Sequence, residues 1–421
     1  RTFKRTNNIF RMNSSSSESE EDNFSPGMFQ NPIVKQLWEV RHAPSTEHVP
    51  YSSFSTPRPP SLSKQEIVYP FSTNPVLMET YKSPWNEVRF GKILEDLDAT
   101  AGNIAYSHCV KGGSWPAPLI VTAGVDSIQL SPTHRPPVTS DHVLTGQISW
   151  VGSSSMEITM TVKEEGKNDG PWLTAKFTFV ARSPSSGSAT KIVPLSPSTS
   201  SEKVLFKNGS DSALRKKGLR ANLSPTSSYT SQIASLSASL FSKSGPHLKM
   251  PSLSSPTQIL MSRTSLHNSF IAQPQNRNMS SRIFGGFLMR RAFELAFATS
   301  YNFGGSRPKF IEVDDVSFLS PVDVGDLMVF HSRVVYTLKD GGTIKLDGDC
   351  PLVMVEVEAW VQDPVRVESN ISNRFYFTFS LPESEGCREI VPGDMEEAKR
   401  MAQRMVADEE QEENRRKEKG V

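Results

Sequence analysis

Two stretches of the chain carry apolar residues at three- and four-residue spacing. In residues 91–106 these are Ile93, Leu94, Leu97, Ala101, Ile104 and Ala105, one stripe of a long helix with a buried face. In residues 286–301 the corresponding positions are Phe287, Leu288, Ala292, Leu295, Ala296 and Thr299. So much of this second helix is apolar that it must lie deep, or pack against both a sheet and another domain. Elsewhere the period changes to two. Met156-Glu157-Ile158-Thr159-Met160-Thr161-Val162 alternates as a half-buried strand does, and so do residues 353–360. The pattern predicts strands at 143–151, 155–162 and 172–181, and again at 327–337, 353–362 and 374–379.

The two sets are copies of one unit. Gly112-Gly113-Ser114-Trp115-Pro116 follows the first helix, and Gly304-Gly305-Ser306-Arg307-Pro308 follows the second. A strand-like run ending in Ser131-Pro132 then answers one ending in Ser320-Pro321. The order is kept while the offset drifts only from 195 at Gly91/Gly286 to 189 at Pro132/Pro321, which marks an internal duplication. One long helix followed by antiparallel strands packs most simply as a curved sheet wrapped over its own helix, an α+β layer arrangement.

Composition sets the borders. Residues 1–70 are rich in Ser, Pro and Asn and are expected to be a disordered N-terminal tail. Residues 75–182 are the first patterned domain and 266–390 the second. Between them, 183–265 form a Ser/Pro-rich linker, partly ordered, with strand character at 202–206 and a short helix at 211–219. Residues 391–421 are an exposed, charged helix with a frayed end. Lys plus Arg (46) balances Asp plus Glu (45), so nothing points to a nucleic-acid partner. No run of 18 apolar residues is present, so no membrane span is expected. Cys109, Cys350 and Cys387 are too few and too far apart for a disulfide framework or a zinc site, and they fit a reducing compartment. Arg1, Lys4, Arg5 and Arg11 among serines hint at the end of an organelle transit peptide.

The duplicated unit resembles the double (tandem) hotdog fold. Arg89-Phe90-Gly91-Lys92-Ile93-Leu94-Glu95-Asp96-Leu97-Asp98, Arg282-Ile283-Phe284-Gly285-Gly286, Phe303-Gly304-Gly305-Ser306-Arg307-Pro308 and Val313-Asp314-Asp315-Val316-Ser317-Phe318 are similar to acyl-CoA thioesterases of the mitochondrial type 9 and their plant relatives. The resemblance covers both patterned blocks. It implies hydrolysis of fatty acyl-CoA to free acid and CoA, and two halves facing each other with active sites at the seams. It further implies no cofactor or metal beyond the CoA of the substrate, a homo-oligomer such as a trimer, and a mitochondrial location.

Thioester hydrolysis needs a group to polarise the carbonyl, a base to direct water, and an apolar slot. A helix start supplies the first through backbone N–H groups and its dipole. Gly91, and the pair Gly285 and Gly286, open the two long helices and let a substrate approach the backbone. Asp98, between Leu97 and Ala99, is the leading candidate base, with Glu95 and Asp96 pointing to other sides of the helix as solvated acids. At the matching position the second helix carries Phe293. Its neighbour Glu294, the one acid within that helix, is either functional or a structural partner of Arg290. The resemblance implies an Asn of one half facing the carboxylate of the other: Asn278 or Ser281 with Asp98, and Asn86 with Glu294. Arg307 and Lys309 are candidates for the CoA phosphates. The His that many hotdog thioesterases carry before Gly-Gly is absent, with Phe90 and Phe284 near that place. His108-Cys109 are helix-end residues, and Asp314-Asp315 strand-entry residues that frame the pocket. Two other readings remain: an enoyl-CoA hydratase or dehydratase of this fold, disfavoured because no His follows the Gly turns, and a non-catalytic acyl-CoA sensor.

Overall fold

The structure, a computed structural model, describes residues 30–42, 56–110, 118–131, 136–222, 228–278, 280–339, 351–381 and 387–419. The basic and acidic runs near the N-terminus and the Gly112–Pro116 motif lie outside these residues. The helices are α1 (Pro32–His42), α2 (Pro75–Tyr81), α3 (Phe90–Val110), α4 (Ser200–Asn222), α5 (Ser228–Ser242), α6 (Gly245–Lys249), α7 (Gly285–Gly304) and α8 (Met395–Lys419). The first half contributes strands β1 (Gln65–Tyr69), β2 (Leu119–Leu130), β3 (His142–Val151), β4 (Ser155–Glu164) and β5 (Leu173–Arg182). The second contributes β7 (Leu266–Ile271), β8 (Lys309–Phe318), β9 (Leu327–Leu338), β10 (Leu352–Asp363) and β11 (Glu368–Ser380). A short parallel pair, β6 (Gln258–Leu260) with β12 (Glu389–Val391), stands apart.

The ten strands form one antiparallel sheet in the order β1-β3-β4-β5-β2-β8-β11-β10-β9-β7. Outward from the central β2–β8 ladder, the halves run β2-β5-β4-β3-β1 and β8-β11-β10-β9-β7. Corresponding strands therefore occupy corresponding places, and the molecule is a tandem hotdog. The halves meet closely at that ladder: a Cβ on Gly124 would lie 2.9 Å from the carbonyl oxygen of Val316.

Each long helix lies on its own half of the sheet, α3 on β2–β5 and α7 on β7 and β9–β11, and the two helices pack on each other. Every apolar position assigned to their inner faces is buried. Burying a side chain such as Ile93 or Leu97 is worth about 1.5–3 kcal/mol, so the stripe fixes the face each helix presents.

The structure departs from the sequence reading outside the two copies. Within the expected tail, α1 buries Ile33, Val34 and Trp38, and Asn31 caps it by accepting from the amide of Val34 at 2.9 Å. Strand β1 extends the sheet edge within the same stretch. Residues 202–206 and 211–219 belong to one helix, α4. The C-terminal α8 is docked, with Arg400 on Glu356 and Glu358 at 2.7 and 2.8 Å and Arg415 on Glu312 at 2.7 Å. Arg404 is buried between Asp408 and Asp314. Asp314 therefore faces this helix and lines a cavity of about 370 Å³ beside it, away from the two seams, and burial pushes its carboxyl up to about 7. The heavy charge of α8 serves contact with acids on the sheet.

Candidate active site

The two long helices run side by side so that the start of each faces the body of the other. Asp98 of α3 meets the first turn of α7: its Oδ2 accepts from the Gly286 amide at 2.7 Å, and its Oδ1 accepts from the Thr122 hydroxyl of β2 at 3.0 Å. Phe284, which precedes α7, has no side chain able to cap it. Asp98 of the opposite half supplies the missing acceptor, and its charge suits the positive end of the helix dipole. The carboxylate is buried. Burial pushes its pKa up to about 6, against the lowering effect of the Thr122 and Gly286 hydrogen bonds.

The glycine pair is required by the closeness of the approach. A Cβ on Gly285 would stand 3.0 Å from Asp98 Oδ2 and 3.1 Å from the Phe318 ring; one on Gly286 would stand 2.7 Å from Phe284 and 2.9 Å from the Glu95 backbone. Leu288 donates to the Phe284 carbonyl in the first intrahelical bond, so the amides of Gly285 and Phe287, like that of Gly286, precede the regular ladder.

The hairpin leading into α7 carries Asn278 and Ser281. Asn278 Oδ1 accepts from the amides of Ser280 and Arg282 at 2.8 and 3.2 Å, which fixes the side chain. Ser281 is the exposed turn residue, with φ +60°. Asn86 is its counterpart before α3, also at φ +60° and exposed. The hairpins match in detail: Lys82 bridges Val88 as Arg277 bridges Ile283, and Ser83 Oγ holds two turn amides as Asn278 does. Asn86 and Ser281 thus owe their place to turn geometry, and the residue matching Asn278 is Ser83.

At the second seam, Gly91 faces Arg290 and Glu294 Oε1, with Phe293 lining the same space, and no hydrogen bond from a backbone amide of the α3 start to a carboxylate is present among the described residues. Phe293 packs on Phe90 and Phe310 with ring centroids 5.0 and 5.2 Å apart. Register equates the surroundings: Thr122 pairs with Phe179 of β5, and Phe310 with Phe379 of β11. The polar pair Asp98/Thr122 of one seam is therefore an aromatic pair, Phe293/Phe310, in the other. A cavity of about 710 Å³ opens here, lined by Trp85, Asn86, Phe90, Gly91, Phe293 and Glu294, with Arg307 and Lys309 at its wall.

Several expected contacts are redistributed. Glu294 is one-third exposed and pairs with Arg89 across the seam at 2.8 Å, with Arg291 at 3.6 Å; it is not a lone buried acid. Arg290 pairs instead with Glu95 at 3.1 Å. Glu95 and Asp96, expected in solvent, are both buried. Asp96 accepts from Tyr81 at 2.6 Å and Tyr69 at 3.0 Å, and burial raises its pKa to about 7. Arg307 reaches Glu87 and lies over the Trp85 ring, 4.3 Å from its centroid. His108 ends α3 against the Val193 carbonyl at 2.9 Å. Thr122 escaped the sequence reading because only the curl of the sheet brings it to the helix. Among the described residues no cluster of three or more His, Cys, Asp or Glu could hold a metal ion, and no helix is long and apolar enough to cross a membrane.

No family model matches the chain. Comparison with curated proteins finds acyl-coenzyme A thioesterase 4, mitochondrial, of Humulus lupulus, 41% identical over 402 residues, spanning 91% of this chain and 74% of that protein. Acyl-coenzyme A thioesterase 2, chloroplastic, of the same plant is 40% identical over 91% of this chain and 90% of its own length. The mouse acyl-coenzyme A thioesterase 9, mitochondrial, is 35% identical over 75% of this chain and 70% of its own. With identity of this extent across both halves, the chain belongs to the acyl-coenzyme A thioesterase family.

Proposed function

We propose that this chain hydrolyses fatty acyl-CoA thioesters to free acid and CoA, and that the reaction takes place at the seam between Asp98 and the start of α7. The observation that carries the reading is the buried Asp98 carboxylate, 2.7 Å from the Gly286 amide of the other half, with its pKa raised to about 6. A base of that pKa is largely ionised at neutral pH and basic enough to take a proton from water.

The amides of Gly285 and Phe287 at the α7 start receive the thioester carbonyl oxygen, with the helix dipole behind them. Asp98, steered by Thr122, removes a proton from the attacking water as its oxygen bonds to the carbonyl carbon. The tetrahedral intermediate then collapses with cleavage of the C–S bond. The proton held by Asp98 passes to the departing CoA sulfur, and the acid and the thiol leave. Asn278, its oxygen tied down by two backbone amides, keeps its amide hydrogens for the water or the carbonyl. Gly285 and Gly286 give the substrate room at the backbone.

Thiol release from an acyl-CoA measures this directly. Asp98→Asn, nearly isosteric, is expected to lower kcat by about 100-fold or more with little change in KM; an unchanged kcat would remove Asp98 from the mechanism. The named relatives are mitochondrial or chloroplastic, which supports an organellar, here mitochondrial, location. Homo-oligomerisation, as a trimer of the double unit, belongs to the same reading, and the mass in solution tests it.

A further inference from the structure

The geometry points to a second thioester site: the cavity at the α3 start binds an acyl-CoA without hydrolysing it. The inference rests on the function proposed above, because the cavity is the symmetry counterpart of the Asp98 seam. Both seams are built from the same hairpin, the same glycine-led helix start and the same strand. What differs is the group that would direct water. Phe293 stands where Asp98 stands and Phe310 where Thr122 stands, so no carboxylate or hydroxyl occupies either position.

The walls suit an amphipathic ligand with an apolar tail and a nucleotide head. Phe90, Phe293, Phe297 and Phe310 make an apolar floor in a space of about 710 Å³. At the rim the indole of Trp85 is more than one-third exposed. It carries the Arg307 guanidinium over one face, 4.3 Å from the ring centroid, which an aromatic base would have to displace or extend. Lys82, Arg89, Arg307 and Lys309 stand on the same wall, against Glu79, Glu87 and Glu294. Lys309 makes no ion pair among the described residues, while Arg89–Glu294 and Arg307–Glu87 are partly exposed pairs. Such pairs are worth little, so a phosphate can take the guanidinium from its carboxylate at small cost. Glu294 lies beside the floor, one-third exposed and held by two arginines rather than by a helix-start amide. It is placed as a rim charge.

The experiment uses the full chain and a CoA thioether carrying an octyl group, which cannot be hydrolysed, in a calorimetric titration. Two equivalents per chain are expected. The variant Trp85→Ala with Lys82→Ala is expected to bind one, with kcat for octanoyl-CoA changed less than about twofold. Lys309→Glu, a surface change that leaves the floor intact, is expected to weaken the second equivalent by about tenfold. Bound ligand unchanged in both variants overturns the inference, as does a single equivalent in the wild type. Asp98→Asn tests the other reading separately: turnover lost while two equivalents still bind keeps both. If the Trp85/Lys82 variant loses turnover and Asp98→Asn does not, the cavity is the catalytic seam, and both assignments fall.

Discussion

The two seams share a backbone and differ in side chains. At one, a carboxylate accepts hydrogen bonds from the opposite helix start and from a strand hydroxyl; at the other, two phenyl rings fill the same positions. The polar seam holds an acid out of water with two hydrogen bonds, and so bears the desolvation that lifts its pKa to about 6. The aromatic seam gains apolar burial and has no comparable base. One scaffold thus provides the proposed reactive site and a counterpart that serves as an internal control for it.

The comparison can be broken most sharply at the glycines. Gly286→Ala puts a methyl against the Glu95 backbone, which cannot swing aside, so the start of α7 must move away from Asp98. A displacement of about 1 Å in a reacting group costs on the order of 100-fold in rate, and that loss in kcat is expected. Gly91→Ala meets only side chains, the flexible Arg290 at 3.0 Å from its Cγ and Glu294 Oε1 in ordinary contact at 3.8 Å, and hydrolysis is expected to stay within about twofold of wild type. Equal losses in both variants would mean that the seams share the work.

Thr122→Val should have an intermediate effect. The Thr122 hydroxyl lowers the Asp98 pKa, so its removal raises it. In the proposed mechanism Asp98 acts ionised, so the acid limb of the kcat profile, expected near pH 6, should move to higher pH. A fall in kcat of about tenfold at neutral pH is expected with it. Phe310→Leu, the same place in the other seam, should leave that limb where it is. The smallest effect concerns stability. Asp96 has its folded pKa raised to about 7 from an ordinary value near 3.8. Between those values the folded chain binds more protons than the unfolded one, so the stability it contributes is complete below pH 4 and lost as pH rises through 7. Asp96→Asn should flatten the fall in Tm from pH 4 to pH 7 while leaving kcat nearly unchanged.

Much of this contrast was legible in the sequence. The helix stripes were readable because burial imposes a period, and the glycines because a tight approach excludes a Cβ. Asp98 stands out by its apolar flanks two turns beyond Gly91, and the offset between copies puts Phe293 in its place. Thr122 did not, since its distance from Asp98 depends on how far the sheet curls. The sequence leaves Glu294 open between a functional role and a pair with Arg290 one turn away, because helix neighbours are all that spacing reveals; the pairing instead crosses between halves, Glu294 to Arg89 and Arg290 to Glu95. Helix α1 was lost among serines and prolines: Ile33, Val34, Leu37 and Trp38 make a short stripe whose worth depends on the α3 surface that receives it.

The Glu95–Arg290 pair carries one more consequence. These two residues are counterparts under the same offset that relates Gly91 to Gly286, and they touch across the junction of the copies. Were two identical first halves to associate, glutamate would confront glutamate at that point; two second halves would set arginine against arginine. Opposite charge is available only to the unlike combination, so a first half that strays towards another of its kind is repelled, and the polypeptide is steered to fold upon itself.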